Sequence, residues 1–162
     1  MQRCLALAAL VLLLDQVSKW AILALVMPPP GGIPITGFFN IVLTYNTGVS
    51  FGLFQGEARW QPYFLIAVNL AVSLGLLIWL RKQDGRLLAW AVGLVVGGAV
   101  GNAIDRFHQP GVVDFLDFHL AGWHWPAFNV ADSAIVCGVL LIVADGLFQP
   151  GRKGNKGTGI GR

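Results

Sequence analysis

Long apolar runs alternate with short polar segments along this chain. Four of the runs approach the roughly 20 apolar residues that an α-helix needs to cross a bilayer. Because a backbone in lipid must satisfy its own hydrogen bonds, each run is predicted to be a transmembrane helix. The predicted spans cover residues 4–27, 60–80, 87–104 and 130–148. The pattern therefore predicts an all-α membrane protein, with one domain over residues 1–150.

The polar segments between the spans differ in character. Residues 35–56 contain ITGFFNIVLTYNTGVSFGLF, in which β-favouring residues are interrupted by the turn-prone Asn46-Thr47-Gly48, and this pattern predicts a small sheet or hairpin. Residues 105–129 are predicted to form a second loop, which holds all three histidines and the aromatic-rich GWHWPAF. The tail GRKGNKGTGIGR, residues 151–162, is predicted to be disordered.

The composition excludes an ordinary water-soluble domain. The chain is 56% hydrophobic and 12% charged, with a mean hydropathy of +0.68, whereas an average soluble domain is about 25% charged. The net charge of +3 is compatible with nucleic-acid binding. However, the basic residues lie in short clusters between apolar runs rather than on one face, so no nucleic-acid partner is expected.

The basic residues fall mainly on one side of the predicted membrane. Eight lie on one side and two on the other; since positive residues accumulate on the cytoplasmic side, both termini are predicted to be cytoplasmic. A cleaved signal peptide is the alternative for the first run, but the apolar stretch resumes beyond Lys19 and no A-x-A cleavage pattern follows. The eight are Arg3, Arg81, Lys82, Arg86, Arg152, Lys153, Lys156 and Arg162, and the two are Arg59 and Arg106.

Five acidic residues lie in or just above the outer half of the predicted membrane, where isolated charges are costly. Asp15 and Lys19 are spaced i, i+4 on the first helix, and we interpret them as a structural ion pair, with bracing of a nearby site as the functional alternative. Asp105, which adjoins Arg106, is also interpreted as structural. Asp117 is predicted to be solvated in an exposed loop.

The remaining two of these five acidic residues are Asp114 and Asp132. Asp114 lies in the apolar run VVDFLDF without an obvious charge partner. Asp132 begins the fourth apolar run, where the alternative role is to cap the helix together with Asn129 and Ser133. Two carboxyl groups at one predicted membrane depth, both in apolar surroundings, predict a pair.

Such a pair has a definite chemistry. Two carboxyl groups a few ångströms apart do not readily ionise together, so one keeps a proton while the other stays charged. The charged group can take a proton from water, and the protonated group can donate to the carbonyl oxygen that the water attacks. This predicts peptide hydrolysis without a covalent intermediate. The sequence does not assign the proton to either residue.

Other chemistries have weaker support in the sequence. The histidines His108, His119 and His124 are potential zinc ligands, but the chain lacks H-E-x-x-H. Ser50 and Ser133 lack the G-x-S-x-G setting of a nucleophile, and GGAVGNAID lacks the lysine of a phosphate-binding loop. We therefore expect no metal and no cofactor.

The third predicted span carries small residues at regular spacing. Gly93, Gly97 and Gly101 recur every four residues and predict a face for close helix packing. Asn102 and Arg106 fall one turn apart at the end of this helix, and only this end is assigned a function.

Five short motifs occur in a fixed order along the chain. They are Asp15-Gln16 followed by Lys19; Asn46-Thr47-Gly48; Gly97-Gly98-Ala99 with Gly101-Asn102 and Asp105-Arg106; Val113-Asp114-Phe115; and Phe128-Asn129 with Ala131-Asp132. In these motifs and their order, the chain resembles the bacterial lipoprotein signal peptidases, also called type II signal peptidases. The resemblance spans most of the chain.

The resemblance implies a multi-pass aspartic endopeptidase of the bacterial cytoplasmic membrane, with its active site on the extracytoplasmic side. Such an enzyme removes the signal peptide of prolipoproteins just before the diacylglyceryl-modified cysteine. Asp114 and Asp132 match the catalytic pair of the family. Substrate-binding or site-supporting positions are matched by Asp15, Lys19, Asn46, Gly98, Asn102, Arg106, Asn129 and Ala131.

The resemblance also implies the surroundings of the site. Residues 45–54 resemble an extracytoplasmic β-cradle, and the loop through Trp123 resembles a mobile cover. The expected partners are prolipoprotein signal peptides and membrane lipids, and the protein is expected to act as a monomer. Asn129 and Arg106 are expected to offer polar contacts to the substrate backbone.

Two other functions compete with the peptidase. Intramembrane acids commonly line proton-coupled transporters or channels, but here the inner half of each span is almost free of ionisable groups and the two halves of the chain are dissimilar. A non-catalytic scaffold held by Asp15 and Lys19 would leave the pairing of Asp114 with Asp132 unexplained.

Overall fold

The computed structural model describes residues 1–48 and 60–148. Within these ranges, four helices are long and apolar enough to cross a membrane, which confirms the predicted number. They are α1 (Gln2–Ala21, continued by a π-helical turn over Ile22–Val26), α2 (Gln61–Leu80), α3 (Arg86–His108) and α4 (Val130–Phe148). Residues 49–56 of the predicted β segment and the predicted tail, residues 151–162, lie outside the described residues.

Helix α3 lies at the centre of the bundle. In its most apolar window 72% of the residues are buried, whereas the corresponding fraction in the other three helices is 22% or less. The outer helices instead expose large apolar side chains such as Leu13, Leu74 and Leu140. An apolar exterior of this kind is expected where lipid, rather than water, surrounds the helices.

Glycines on two faces of α3 allow neighbouring helices to approach closely. A β-carbon built on Gly97 would lie 2.6 Å from the carbonyl oxygen of Ala8 in α1, and one built on Gly93 would lie 2.7 Å from that of Cys4. The predicted close-packing face is therefore confirmed, with α1 as its partner. On the other side of α3, a β-carbon on Gly98 would overlap the carbonyl oxygen of Ala131 in α4.

The described residues also form a four-stranded antiparallel sheet, which confirms that a small sheet accompanies the helices. Its strands are β1 (Ile33–Thr36), β2 (Phe39–Asn46), β3 (Val112–Leu120) and β4 (Trp123–His124), in that spatial order. The hairpin turn lies at Gly37-Phe38, and the turn-prone Asn46-Thr47-Gly48 instead ends β2. The partner of β2, strand β3, comes from the segment that was predicted to be a loop.

Strand β3 is linked to the start of α4 by backbone hydrogen bonds. The amides of Phe115 and Leu116 donate to the carbonyl oxygen of Phe128 at 3.1 and 2.9 Å, and the amide of Phe128 donates back to Leu116 at 3.1 Å. The middle of β3 therefore lies beside the N-terminus of α4, so Asp114 and Asp132 come from adjacent elements.

Candidate active site

Asp114 lies in the middle of β3 and is almost completely buried. Only 2% of the residue is exposed, and it is paired across the sheet with Thr44. Burial, and then the negative charge of Asp132, raise the pKa of Asp114 from 3.8 to about 7, against the opposing effects of hydrogen bonds from Asn46 and Asn129. A carboxyl group in this position can hold a proton near neutral pH.

Asp132 lies in the first turn of α4 and accepts hydrogen bonds on both carboxylate oxygens. The side-chain amide of Asn102 donates to Oδ1 at 2.8 Å, and the backbone amide of Asn129 donates to Oδ2 at 3.3 Å. In return, the amide of Asp132 donates to Asn129 Oδ1 at 2.9 Å. This reciprocal arrangement is that of a capping box, so the capping role weighed from the sequence is real and coexists with a place in the site.

Asn129 joins the two acidic residues. Its side-chain amide nitrogen donates to Asp114 Oδ1 at 2.8 Å, while its Oδ1 accepts the amide of Asp132. The same nitrogen lies 3.2 Å from the carbonyl oxygen of Val113 and 3.3 Å from Asn102 Oδ1. Asn129 is completely buried. Both the donor and the acceptor of its side chain are therefore engaged in holding the acidic pair.

A buried charge network lies beneath the pair. Lys19 Nζ lies 2.9 Å from Asp15 Oδ2, 2.8 Å from Asp105 Oδ2 and 3.1 Å from Asn102 Oδ1, and both acids and the lysine are at most 4% exposed. The ion pair predicted between Asp15 and Lys19 is present. Asp105 forms its ion pair with Lys19, although the sequence had associated it with its neighbour Arg106.

The same two carboxylates fix the backbone on which the acidic pair stands. Asp15 Oδ1 accepts the amide of Ala131 at 3.0 Å, and Asp105 Oδ2 accepts the amide of Val113 at 3.0 Å. Ala131 immediately precedes Asp132, and Val113 immediately precedes Asp114. The network thus holds both members of the pair through the peptide unit next to each.

Gln16 belongs to this network and was missed as a site residue. Its side-chain amide nitrogen lies 3.1 Å from Asp15 Oδ2 and 3.0 Å from Asp105 Oδ1. The amide donor therefore bridges two like charges that lie 90 positions apart in sequence. The only sequence signal for this role was the place of Gln16 beside Asp15 in the first of the five motifs.

Two of the predicted positions act through their small size. Ala131 is completely buried, and a β-carbon on Gly98 would overlap its carbonyl oxygen and lie 2.9 Å from Ile135 Cγ1. The first turn of α4 therefore rests directly on the backbone of α3. A larger residue at either position would displace Asp132.

Arg106 and Asn46 line the open side of the site. Arg106 donates from Nη1 to the carbonyl oxygen of Asn102 at 3.1 Å and from Nη2 to that of Gly48 at 2.8 Å. Its Nε is buried and has no hydrogen-bond partner among the described residues. Asn46 Oδ1 accepts the amide of Gly48 at 3.1 Å, which folds the end of β2 toward Arg106.

Two clefts meet at Asp132. One, of about 310 Å³, is lined by Asp132, Asn46 and mainly apolar residues between Trp125 and Cys137. The other, of about 260 Å³, extends between α2, α3 and α4. A larger depression of about 770 Å³ is lined by residues of the sheet and of the segments around it and includes neither acidic residue of the pair. Size is therefore a poor guide here, since among the clefts lined by described residues only these two smaller ones include Asp132.

Asp117 is not solvated in a loop, contrary to the prediction. It lies on β3, is 6% exposed, accepts a hydrogen bond from Asn40 at 2.8 Å and lies 2.8 Å from His124 Nδ1. Although burial acts in the opposite direction, the hydrogen bonds from His124 and Asn40 lower its pKa. Three positions separate it from Asp114, so the two side chains point to opposite faces of the strand.

The chain is similar to known proteins over nearly its whole length. Residues 7–148 match the family model described as Signal peptidase (SPase) II. The lipoprotein signal peptidase of Janthinobacterium sp. (strain Marseille) is 44% identical over 149 residues, which are 91% of this chain and 90% of the relative. That of Methylorubrum extorquens (strain PA1) is 48% identical over 139 residues, 84% of this chain and 80% of the relative.

The fold has a counterpart among solved structures. A bacterial membrane enzyme determined by the in meso method at 2.3 Å resolution superimposes with a TM-score of 0.80 at 29% sequence identity. The match covers 97% of this chain and 94% of that structure. The similarity therefore includes the sheet as well as the four helices.

Proposed function

The chain belongs to the signal peptidase II family, and we propose that it removes signal peptides from diacylglyceryl-modified prolipoproteins with Asp114 and Asp132 as its catalytic pair. The observation that carries this proposal is the link through Asn129, which contacts both carboxyl-bearing residues within 3 Å. This link holds the carboxyl group of Asp114 and the backbone amide of Asp132, and the charge of Asp132 also raises the pKa of Asp114, so the two carboxyl groups act on each other as acid–base hydrolysis requires.

The two acids are assigned different roles. Asp132 accepts hydrogen bonds on both oxygens and borders both clefts, so it is the ionised group that takes a proton from water. Asp114, with a pKa raised to about 7, is the protonated group that donates to the carbonyl oxygen of the scissile amide. The proton on Asp132 then passes to the departing nitrogen as the C–N bond breaks, and one hydroxyl of the intermediate returns its proton to Asp114, which restores the pair. The products are a signal peptide ending in a carboxylate and a lipid-modified cysteine with a free amino group.

The site is proposed to face the extracytoplasmic side of the bacterial cytoplasmic membrane. Met1 lies near the turn between α2 and α3, since both line one surface depression with Leu80 and Arg86. This end of the bundle carries the basic residues Arg3, Arg81, Lys82 and Arg86. The acidic pair lies toward the opposite ends of α3 and α4. The positive-inside rule therefore supports cytoplasmic termini and an outward-facing site.

The clefts suit a lipid-modified substrate. A signal peptide is itself a membrane-length apolar segment, so its cutting site must be reached from within the bilayer at the outer surface. The apolar residues Val136 and Phe128 line the cleft of about 310 Å³ beside Asp132. We assign the acyl chains to such apolar surfaces and expect membrane lipids to contact the exposed helix faces. The sheet is proposed to be the cradle over the outer surface, with the protein working as a monomer.

The transporter alternative is not supported. Each relative named above is a lipoprotein signal peptidase. The buried charged residues of the described spans, Asp15, Lys19 and Asp105, also lie together at one end of α3 rather than along a path between both faces.

The test is cleavage by the purified protein in detergent. A prolipoprotein carrying diacylglyceryl-cysteine should be shortened on a gel, while the same precursor with unmodified cysteine should not. The reaction should continue in the presence of a chelator. Cleavage of both precursors at the same rate, or of neither, would contradict the proposal.

A further inference from the structure

Helix α2 contributes a polar side chain, that of Asn69, to the cleft beside Asp132, and the family motifs do not assign it. Asn69 is half-buried in the apolar stretch LIAVNLAV and lines the cleft of about 260 Å³ together with Asp132, Arg106 and Asn102. Its amide nitrogen lies 3.3 Å from the carbonyl oxygen of Ala99. Its Oδ1 accepts no hydrogen bond from any residue in the ranges 1–48 and 60–148.

Asn69 lies deeper in the bundle than the acidic pair. It contacts Ala99, which precedes Asn102 by three residues, or about 4.5 Å along the axis of α3. Asn102 is the residue that donates to Asp132. The cleft therefore continues inward from Asp132 to a free acceptor, past Arg106, whose buried Nε is an unpaired donor among the described residues.

A substrate that crosses the membrane as a helix needs such groups. To expose the scissile amide, the end of that helix must unwind, which separates backbone N–H and C=O groups from their helical partners. Within the bilayer no water is available to replace those partners, so the enzyme has to supply them. The residues on the amino-terminal side of the scissile bond run inward from the outer surface, and this is the direction in which Asn69 lies.

We infer that Asn69 Oδ1 accepts a hydrogen bond from a backbone N–H of the signal peptide on the amino-terminal side of the scissile bond. The inference rests on the proposed function and adds a substrate-binding residue to it. A purely structural role would consist of the bond to Ala99, which at 3.3 Å is long for an N–H···O bond. Loss of a substrate contact would raise KM, whereas loss of the structural bond to Ala99 would lower the unfolding temperature.

The test uses lipopeptides that contain diacylglyceryl-cysteine and the residues before it. In a series, each residue preceding the cysteine is replaced in turn by its α-hydroxy acid, which removes one backbone N–H and leaves an ester. With the all-amide peptide, Asn69→Ala should raise KM about fivefold, the factor for one hydrogen bond, and leave kcat and the unfolding temperature nearly unchanged. At one ester position the KM of the wild type should rise by the same factor, and Asn69→Ala should not raise it further.

Ser73→Ala is the matched control on the same helix. The Ser73 hydroxyl donates to the carbonyl oxygen of Asn69 at 2.7 Å and does not line the cleft, so its removal should leave KM unchanged. Two results would overturn the inference while the wild type still cleaves the amide peptide. One is that Asn69→Ala raises KM further at every ester position, and the other is that Asn69→Ala leaves KM unchanged. If the wild type does not cleave that peptide, the proposed function itself fails, and the inference fails with it.

Discussion

Asn129 donates a hydrogen bond from its side-chain nitrogen to Asp114 at 2.8 Å, and its side-chain oxygen caps α4. One side chain therefore performs two separable tasks, which are to start the helix that carries Asp132 and to orient the carboxyl group on β3. The capping task needs only an oxygen acceptor, whereas the orienting task needs an amide donor.

Substitution of Asn129 should separate these two tasks. Asn129→Ser keeps a capping oxygen, but its hydroxyl is too short to replace the amide nitrogen that donates to Asp114, whereas Asn129→Ala loses both functions. Both variants should lose about 100-fold or more in kcat, because the carboxyl group is no longer held in place. Asn129→Ala should be less stable than Asn129→Ser by about 1 kcal/mol. Thermal unfolding and lipopeptide turnover measure the two effects, and a serine variant with normal turnover would show that the donor is unnecessary.

The raised pKa of Asp114 predicts a pH dependence of activity. Burial, and then the charge of Asp132, move this pKa from 3.8 to about 7. Activity that needs the protonated acid should fall as the pH rises above about 7. A rate that is constant between about pH 6 and about pH 8.5 would contradict the assignment of the proton to Asp114.

The same raised pKa predicts a pH dependence of stability. A folded-state pKa above the unfolded value means that the folded protein binds the proton more tightly. The stabilisation from Asp114 is therefore fully present below about pH 4 and is lost as the pH rises through about 7. Asp114→Asn removes this group, so its unfolding temperature should fall less between these pH values than that of the wild type. Parallel curves for the two proteins would refute the prediction.

Lys19 should be required for stability because its removal leaves two buried carboxylates without their cation. Lys19→Met should lower the free energy of unfolding by about 3 to 5 kcal/mol, the cost typical of breaking a buried ion pair. Lys82→Met is the matched control, since Lys82 is exposed. The unfolding temperature in detergent is the measurement. Equal, small losses in both variants would mean that the network beneath the pair contributes little.

Gly98 should not accept a larger side chain. A β-carbon at this position overlaps the carbonyl oxygen of Ala131, so Gly98→Ala must push α4 away from α3 and displace Asp132. We expect at least a 100-fold loss in kcat, since displacements of about 1 Å cost this much. Gly75→Ala on α2 is the control, because a β-carbon there meets nothing within 4 Å. This control should be as stable as the wild type or gain up to about 1 kcal/mol.

The helices and the apolar surroundings of the two acids could be predicted from the sequence because each leaves a local signal. Apolar runs of membrane length predict helices, and Asp114 between Val113 and Phe115 is conspicuous in its apolar surroundings. The capping position of Asp132 was equally visible, since Asn129 precedes it by three residues. Patterns of this kind need only neighbouring residues to be recognised.

The supports of the pair could not be predicted in the same way, because they depend on contacts between distant residues. The pairing of Lys19 with Asp105 joins α1 to α3, and nothing near Asp105 in sequence distinguishes Lys19 from Arg106 as its partner. Asp117 looked solvated because its partner Asn40 lies 77 positions away, on a strand whose pairing was not foreseen. Asn69 was not singled out from the sequence, because its place beside the cleft depends on the packing of α2 against α3.

Asp114 and Asp117 lie on the same strand, β3, so Asp117 provides a matched control for the most direct test of the central claim. Asp114→Asn, Asp132→Asn and Asp117→Asn each replace one carboxylate by an amide of the same shape, but Asp117 points to the face of β3 opposite to Asp114. Turnover of a diacylglyceryl-modified lipopeptide should fall by about 1,000-fold or more in the first two variants and remain within about twofold of the wild type in the third. Normal turnover in Asp114→Asn or Asp132→Asn, with all three variants folded, would contradict the catalytic pair.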